Sequence, residues 1–155
     1  PLIQKNISKV MSLRDGTKKM SKSEESNYSR IDLKDAPDEI IKKIKKAKTD
    51  SAPIPDNEKD LYKRPEALNL LNIYGEVTRK SLPVVLKEMS GKDFSHVKKQ
   101  LSEVLVEEIC PIGKKIKQLM EEKSYLQDVL KKGSEKAAIK SEENLKKVRD
   151  IIGLI

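Results

Sequence analysis

FSHVKKQLSEVLVEEICPIGKKIKQL, residues 94 to 119, is the longest amphipathic stretch of the chain. Its apolar residues recur in steps of three and four: Phe94, Val97, Leu101, Leu105, Ile109, Ile112, Ile116 and Leu119. This spacing keeps one face of an α-helix apolar, because a helix has about 3.6 residues per turn. The pattern resumes in phase after Pro111, which predicts a kink within one helix rather than its end.

Shorter amphipathic patterns precede this stretch. We expect a first helix with Asp35 as its N-cap and with Lys43 on an outward face of lysines. Residues 49–63 are rich in Pro, Asp and Asn and are predicted to be a linker. Further helices are expected from Pro65 and from Ser81, since Pro suits the first turn of a helix.

Two separate helices are predicted near the C-terminus. We expect one from Ser124 to Gly133 and another from Ser134 to Gly153, because Ser favours helix starts and Gly favours helix ends. The inward face of the second would hold Ala138, Leu145, Val148 and Ile152. The predicted fold class is therefore mainly α, a helical bundle preceded by a short head without helices.

Composition limits the functions to consider. The 155 residues include 33 Lys and Arg against 25 Asp and Glu, a formal net charge of +8 that favours polyanions such as RNA. A solvated, Lys-rich surface explains the same charge equally well. Cys110 and His96 are the sole residues of their types, which argues against disulfides, zinc sites and thiol–imidazole catalysis, and no metal ligand is predicted.

The lack of a recognisable membrane span or signal peptide predicts a cytoplasmic protein. No apolar run approaches the ~20 residues of a membrane span, and residues 1–10 lack the order of a signal peptide. The chain does not begin with Met, so we also hypothesise that it is part of a longer protein.

The residues with the clearest chemistry are KMSKS, Lys19 to Ser23. They lie in a Ser-rich segment predicted to be a loop, which follows a short predicted strand at Val10, Met11 and Leu13. Two lysines three positions apart can bind a triphosphate between them, and the hydroxyls can bond its oxygens. Such a group would stabilise charge on a departing pyrophosphate, although a chance match remains the alternative for the motif alone.

The context of this motif resembles tryptophanyl-tRNA synthetases of the bacterial type, which are class I enzymes with a KMSKS loop. The first similar block runs from Met11 to Ser23. The others follow in order along the chain: Ser29 to Ile31 with Asp35, Lys42 to Asp50, Arg64 to Ala67, Asn69 to Tyr74, and Val148 to Leu154. One departure is Glu24-Glu25, where the family usually has an Asp-Pro step, so the rigidity of the loop is expected to differ.

The resemblance implies a tryptophan–tRNA ligase that forms tryptophanyl-adenylate from tryptophan and ATP and then charges tRNA(Trp). It implies an ATP site made of Val10, Lys19, Met20, Ser21, Lys22 and Ser23. Within this set Lys19 and Lys22 would be catalytic, and the Val10 backbone would lie beside the adenine. Mg²⁺ is expected on the phosphates, and the full-length enzyme is expected to be a homodimer.

The same resemblance implies two domains. Residues 1–34 would end a Rossmann-like nucleotide-binding domain, and residues 35–155 would form the C-terminal helical domain that binds the anticodon. The other half of the active site would precede Pro1, so this chain alone is expected to be inactive. The alternative hypothesis is a stand-alone helical tRNA-binding module without catalysis. Candidates for RNA contact are Lys114, Lys115 and Lys117, for which simple solvation is also an explanation.

Overall fold

The computed structural model describes residues 9–154, which are mainly α-helical as predicted. A 3-10 helix, Asn27–Ser29, precedes six α-helices: α1 Pro37–Lys45, α2 Glu58–Leu61, α3 Pro65–Thr78, α4 Leu82–Met89, α5 Phe94–Glu121 and α6 Lys123–Ile152. The chain divides into two compact units, one up to Lys114 and one from Lys115 onward. The predicted boundary between residues 34 and 35 lies inside the first unit and remains a prediction. Among residues 9–154, no helix combines the length and the apolar character that a bilayer span requires.

The core of the first unit is built from one face of each of its helices and from the segment before the KMSKS motif. α3 packs against both α2 and α4. The buried apolar residues are Leu13, Ile40, Ile44, Ala47, Ile54, Leu61, Ala67, Leu70, Leu71, Tyr74, Val85, Leu86, Met89, Phe94, Val97, Leu101 and Leu105. Because Leu13 belongs to this set, the start of the candidate site is fixed by the same core as the helices.

Helix α5 is continuous through Pro111, as the in-phase apolar pattern predicted. The first half of its stripe, from Phe94 to Leu105, is buried in the core. Ile109 is half-buried and packs against this core, whereas Ile112 is exposed, so the stripe leaves the core of the first unit after Ile109.

The prediction of two C-terminal helices is wrong. α6 runs without a break across Gly133 and Ser134 and ends at Ile152, with Gly153 as its C-cap; the φ of Gly153, +71°, is the left-handed conformation of a helix C-cap. A glycine inside a helix costs only about 1 kcal/mol relative to alanine, so one glycine does not end a long helix. The inward face predicted for this segment is also wrong, because no residue of α6 is buried.

The start of α1 also differs from the prediction. Ala36 is the N-cap, and the backbone N–H of Ala36 donates a hydrogen bond to the Glu39 carboxylate at 3.1 Å. Asp35 instead accepts a hydrogen bond from the Lys43 ammonium at 2.5 Å. Lys43 is therefore buried rather than outward-facing, because a buried ammonium requires a charged partner and Asp35 supplies it.

The predicted linker, residues 49–63, contains the short helix α2 and is tied to the helices by Arg64. The Arg64 guanidinium donates to both carboxylate oxygens of Asp50, at 2.5 and 2.9 Å, and to the carbonyls of Ala52 and Pro53. The hydrogen bonds from Arg64 to Asp50 lower the pKa of the Asp50 carboxyl. The linker is therefore an ordered connection held beside the start of α3.

Candidate functional site

The segment before the KMSKS motif folds back on the motif as a short hairpin. The backbone N–H of Met20 donates to the Val10 carbonyl at 3.0 Å, and a single antiparallel bridge pairs Met11 with Lys19. The strand predicted at Val10, Met11 and Leu13 is thus reduced, among the described residues, to this one bridge. The pairing places Val10 beside the first residues of the motif.

The turn of this hairpin is stabilised by Asp15 and seated on α3. Thr17 donates both its hydroxyl, at 2.6 Å, and its backbone N–H, at 3.0 Å, to Asp15 Oδ1, and the hydroxyl hydrogen bond lowers the pKa of Asp15. Gly16 touches the first turn of α3: a Cβ there would lie 2.5 Å from the carbonyl carbon of Pro65 and 2.6 Å from the nitrogen of Glu66. Only glycine permits so close an approach of two backbones.

Within the motif, one side chain anchors the loop and two charged ones face solvent. Met20 is half-buried and packs against the core, whereas Lys19 and Lys22 are exposed. The hydroxyls of Ser21 and Ser23 lie 2.8 Å apart, and the Ser23 N–H donates to Ser21 Oγ at 3.3 Å. Within residues 9–154, neither exposed lysine forms an ion pair, so both ammonium groups are available to an anionic ligand.

The segment after the motif is held by Glu24 and Arg30. The Ser12 hydroxyl donates to Glu24 Oε2 at 3.3 Å, which joins this segment to the base of the hairpin. Arg30 donates to the Glu24 carbonyl at 3.1 Å and to Asn27 Oδ1 at 2.6 Å. The Glu24 carboxylate therefore joins the end of the motif to the base of the hairpin.

Removing this carboxylate should loosen the loop. We expect Glu24→Ala to speed amide hydrogen exchange in residues 21–26 by about fivefold, because one such hydrogen bond contributes about 1 kcal/mol. Glu25→Ala is the matched control, since Glu25 is exposed and makes no side-chain hydrogen bond to the described residues. Equal exchange rates in the two variants would show that the contact with Ser12 does not hold the loop.

A residue of α3 also binds the hairpin, and sequence reasoning did not assign it a role. Asn69 accepts a hydrogen bond from the Met11 N–H at 3.0 Å and donates to the Met11 carbonyl at 2.9 Å and the Ser12 carbonyl at 3.4 Å. Its side chain is buried, with 5% of the residue exposed. An amide between Leu68 and Leu70 on a helix is the available signal, because a buried amide requires hydrogen-bonding partners.

This chain resembles known proteins along nearly its whole length. A family model described as tRNA synthetases class I (W and Y) matches residues 2–148. The chain belongs to this family. Two curated members are the tryptophan–tRNA ligases of Mesorhizobium japonicum and Rhizobium meliloti, each 44% identical over all 155 residues of this chain. These relatives confirm the predicted resemblance to the tryptophan branch of the class I synthetases.

The fold agrees with a solved synthetase. The structure is similar to the crystal structure of tryptophanyl-tRNA synthetase from Mycoplasma pneumoniae, with a TM-score of 0.59 and 28% sequence identity. The match covers 72% of this chain and 35% of the Mycoplasma chain. The chain covers 44% of the length of the two curated relatives above. It therefore spans less than half of the class I synthetases that it matches.

Proposed function

We propose that this chain is the C-terminal part of a tryptophan–tRNA ligase and that its KMSKS loop binds the phosphates of ATP. The observation that carries the proposal is a pair of exposed ammonium groups, Lys19 and Lys22, on a loop that Met20 anchors to the core. The match to the class I synthetase family over residues 2–148 supports the same assignment.

The proposed chemistry is the activation of tryptophan. A carboxylate oxygen of tryptophan attacks the α-phosphorus of ATP, and the bond from that phosphorus to the pyrophosphate oxygen breaks. Negative charge develops on the leaving pyrophosphate, where Lys19 and Lys22 would bind its oxygens and the hydroxyls of Ser21 and Ser23 would donate to them. The Val10 backbone would lie beside the adenine. The tryptophanyl group then passes from the adenylate to the 3′ end of tRNA(Trp).

Mg²⁺ belongs to this proposal as an ion carried by phosphate oxygens of the nucleotide. In the part of the chain that the structure describes, no three His, Cys, Asp or Glu side chains are grouped to hold a metal ion. A homodimeric full-length enzyme, located in the cytoplasm, is proposed from the resemblance.

The helical residues 35–155 are proposed to contact the tRNA. The net charge of +8 favours a polyanion, and the candidates Lys114, Lys115 and Lys117 are all exposed. Exposure fits solvation of these lysines as well as RNA binding, so no single lysine is assigned as a reader of the anticodon.

The decisive experiment is amino-acid-dependent exchange between ATP and pyrophosphate. The full-length protein should catalyse this exchange with tryptophan and not with tyrosine, and it should aminoacylate tRNA(Trp). Exchange with tyrosine alone, or with neither amino acid, would overturn the proposal.

The 155-residue chain tested by itself should show no exchange, because the resemblance places half of the active site before Pro1. Tryptophan-dependent exchange by this chain would contradict that expectation. Tight binding of tRNA(Trp) by the chain, together with a full-length protein that does not activate tryptophan, would favour the stand-alone binding module.

A further inference from the structure

We propose that Asn69 is a positioning residue for the KMSKS loop, which sets the placement of Lys19 and Lys22 through the backbone of Met11. This inference rests on the proposed function and adds a residue of α3 to the ATP-binding apparatus. Asn69 is a positioning residue rather than a catalytic one, because its contacts are to the hairpin backbone.

The hydrogen bonds of Asn69 replace those of a neighbouring β-strand. Its side-chain amide binds both polar groups of Met11, with Oδ1 3.0 Å from the Met11 nitrogen and Nδ2 2.9 Å from the Met11 oxygen. This two-bond pattern is the one that a strand residue makes with its partner in an antiparallel ladder. Asn69 therefore supplies, on one edge of the segment, the pairing that a third strand would give.

The opposite edge of the same segment holds the motif. Two backbone groups beside Met11 pair in the other direction: the Ser12 N–H donates to the Lys18 carbonyl at 2.8 Å, and the Val10 carbonyl accepts from the Met20 N–H at 3.0 Å. The segment is thus bound between α3 and the start of the motif. A change in its register against α3 would move the motif with it.

The turn of the hairpin makes a second contact with α3. Gly16, at the turn of the hairpin, packs against the backbone of Pro65 and Glu66 in the first turn of the same helix. The hairpin is therefore held by α3 at its turn and at Met11. Phosphate binding requires accurate placement, and a misplacement of about 1 Å can lower a rate by about 100-fold.

The test compares Asn69→Ala with Asn72→Ala in the full-length enzyme. Asn72 is the same residue type on the same helix, is half-buried, and makes no side-chain hydrogen bond to the described residues. Steady-state ATP–pyrophosphate exchange would be measured with ATP and tryptophan varied in turn. Rates would be normalised to active sites counted from the burst of adenylate, so that unfolded protein does not contribute.

For Asn69→Ala we expect kcat/KM for ATP to fall by about tenfold or more per active site, with KM for tryptophan within about twofold of wild type. Asn72→Ala should match wild type in both kcat/KM for ATP and KM for tryptophan. Asn69→Asp keeps the volume of the side chain but loses the donor to the Met11 carbonyl, so it should show the same selective loss. It also serves if the alanine variant does not fold.

Two results would overturn the inference. One is a kcat/KM for ATP in both Asn69 variants that stays within about twofold of Asn72→Ala, even if their Tm is lower. The other is a rise of about tenfold or more in KM for tryptophan in both Asn69 variants, which indicates general damage to the active site. A wild-type enzyme that does not activate tryptophan would refute the proposed function itself, and that failure is visible before any variant is made.

Discussion

Lys22→Ala in the full-length enzyme is expected to slow formation of tryptophanyl-adenylate by about 100- to 1,000-fold, which is the usual effect of removing one preorganised donor from a transition state. Lys22 is exposed on the turn of the KMSKS loop and forms no ion pair within residues 9–154, so its charge is available to the phosphates. Tryptophan affinity should change by less than about twofold, because an ammonium group acts on phosphate and not on indole. Single-turnover release of pyrophosphate measures the first quantity, and equilibrium binding of tryptophan measures the second.

Lys18→Ala is the matched control for this prediction. Lys18 is also an exposed lysine of the same segment, but it lies outside the motif and its ammonium is 3.6 Å from the Asp15 carboxylate. We expect the rate of this variant to fall by less than about fivefold, since Lys18 lies outside the motif and its ammonium already faces the Asp15 carboxylate. Similar losses in the two variants would mean that any positive charge near the loop suffices. An unchanged rate in Lys22→Ala would remove Lys22 from the proposed mechanism.

Gly16→Ala is expected to destabilise the 155-residue chain by about 3 kcal/mol, or about 10 °C in Tm. The new Cβ would lie 2.5 Å from the carbonyl carbon of Pro65 and 2.6 Å from both its oxygen and the nitrogen of Glu66. These are backbone atoms at the start of a helix, so a side-chain rotation cannot relieve the clash. The hairpin or the first turn of α3 must move instead, and thermal unfolding followed by circular dichroism measures the cost.

Gly133→Ala should stabilise the chain, whereas Gly16→Ala should destabilise it. Gly133 lies within α6, and a Cβ there meets nothing within 4 Å, so the substitution should stabilise the helix by about 0.5–1 kcal/mol. The contrast separates the general effect of replacing glycine from the specific contact at Gly16. A Tm for Gly16→Ala equal to that of wild type would show that the hairpin is not seated on α3 as described.

The elements predicted correctly from the sequence depend on neighbouring residues. The spacing of Phe94, Val97 and Leu101 identifies a helix face wherever the helix packs, and the return of that pattern after Pro111 predicted the continuity of α5. The KMSKS motif is local in the same sense, because five consecutive residues carry both ammonium groups and both hydroxyls. Burial along the same stripe was not predictable beyond Leu105, since it depends on which other segments reach α5.

The errors arose where partners distant from a residue decide its environment. Lys43 belongs to a run of lysines that favoured an outward face, yet it is buried because Asp35 reaches it from outside the helix. Asp35, which was predicted to be the N-cap of α1, binds Lys43 instead, and the N-cap is Ala36. At Gly133 the error was one of magnitude, because a cost of about 1 kcal/mol was treated as a stop signal within a 30-residue helix.

The sequence by itself determined the mainly α class, the path of α5 and the presence of a loop with two lysines suited to phosphate. Only the tertiary structure decided how that loop is held. Asn69 binds a residue 58 positions away, and Gly16 meets the start of α3 at Pro65. Helix periodicity and short motifs are properties of neighbouring residues, whereas these contacts exist only after distant segments have packed together, so no local pattern could reveal them.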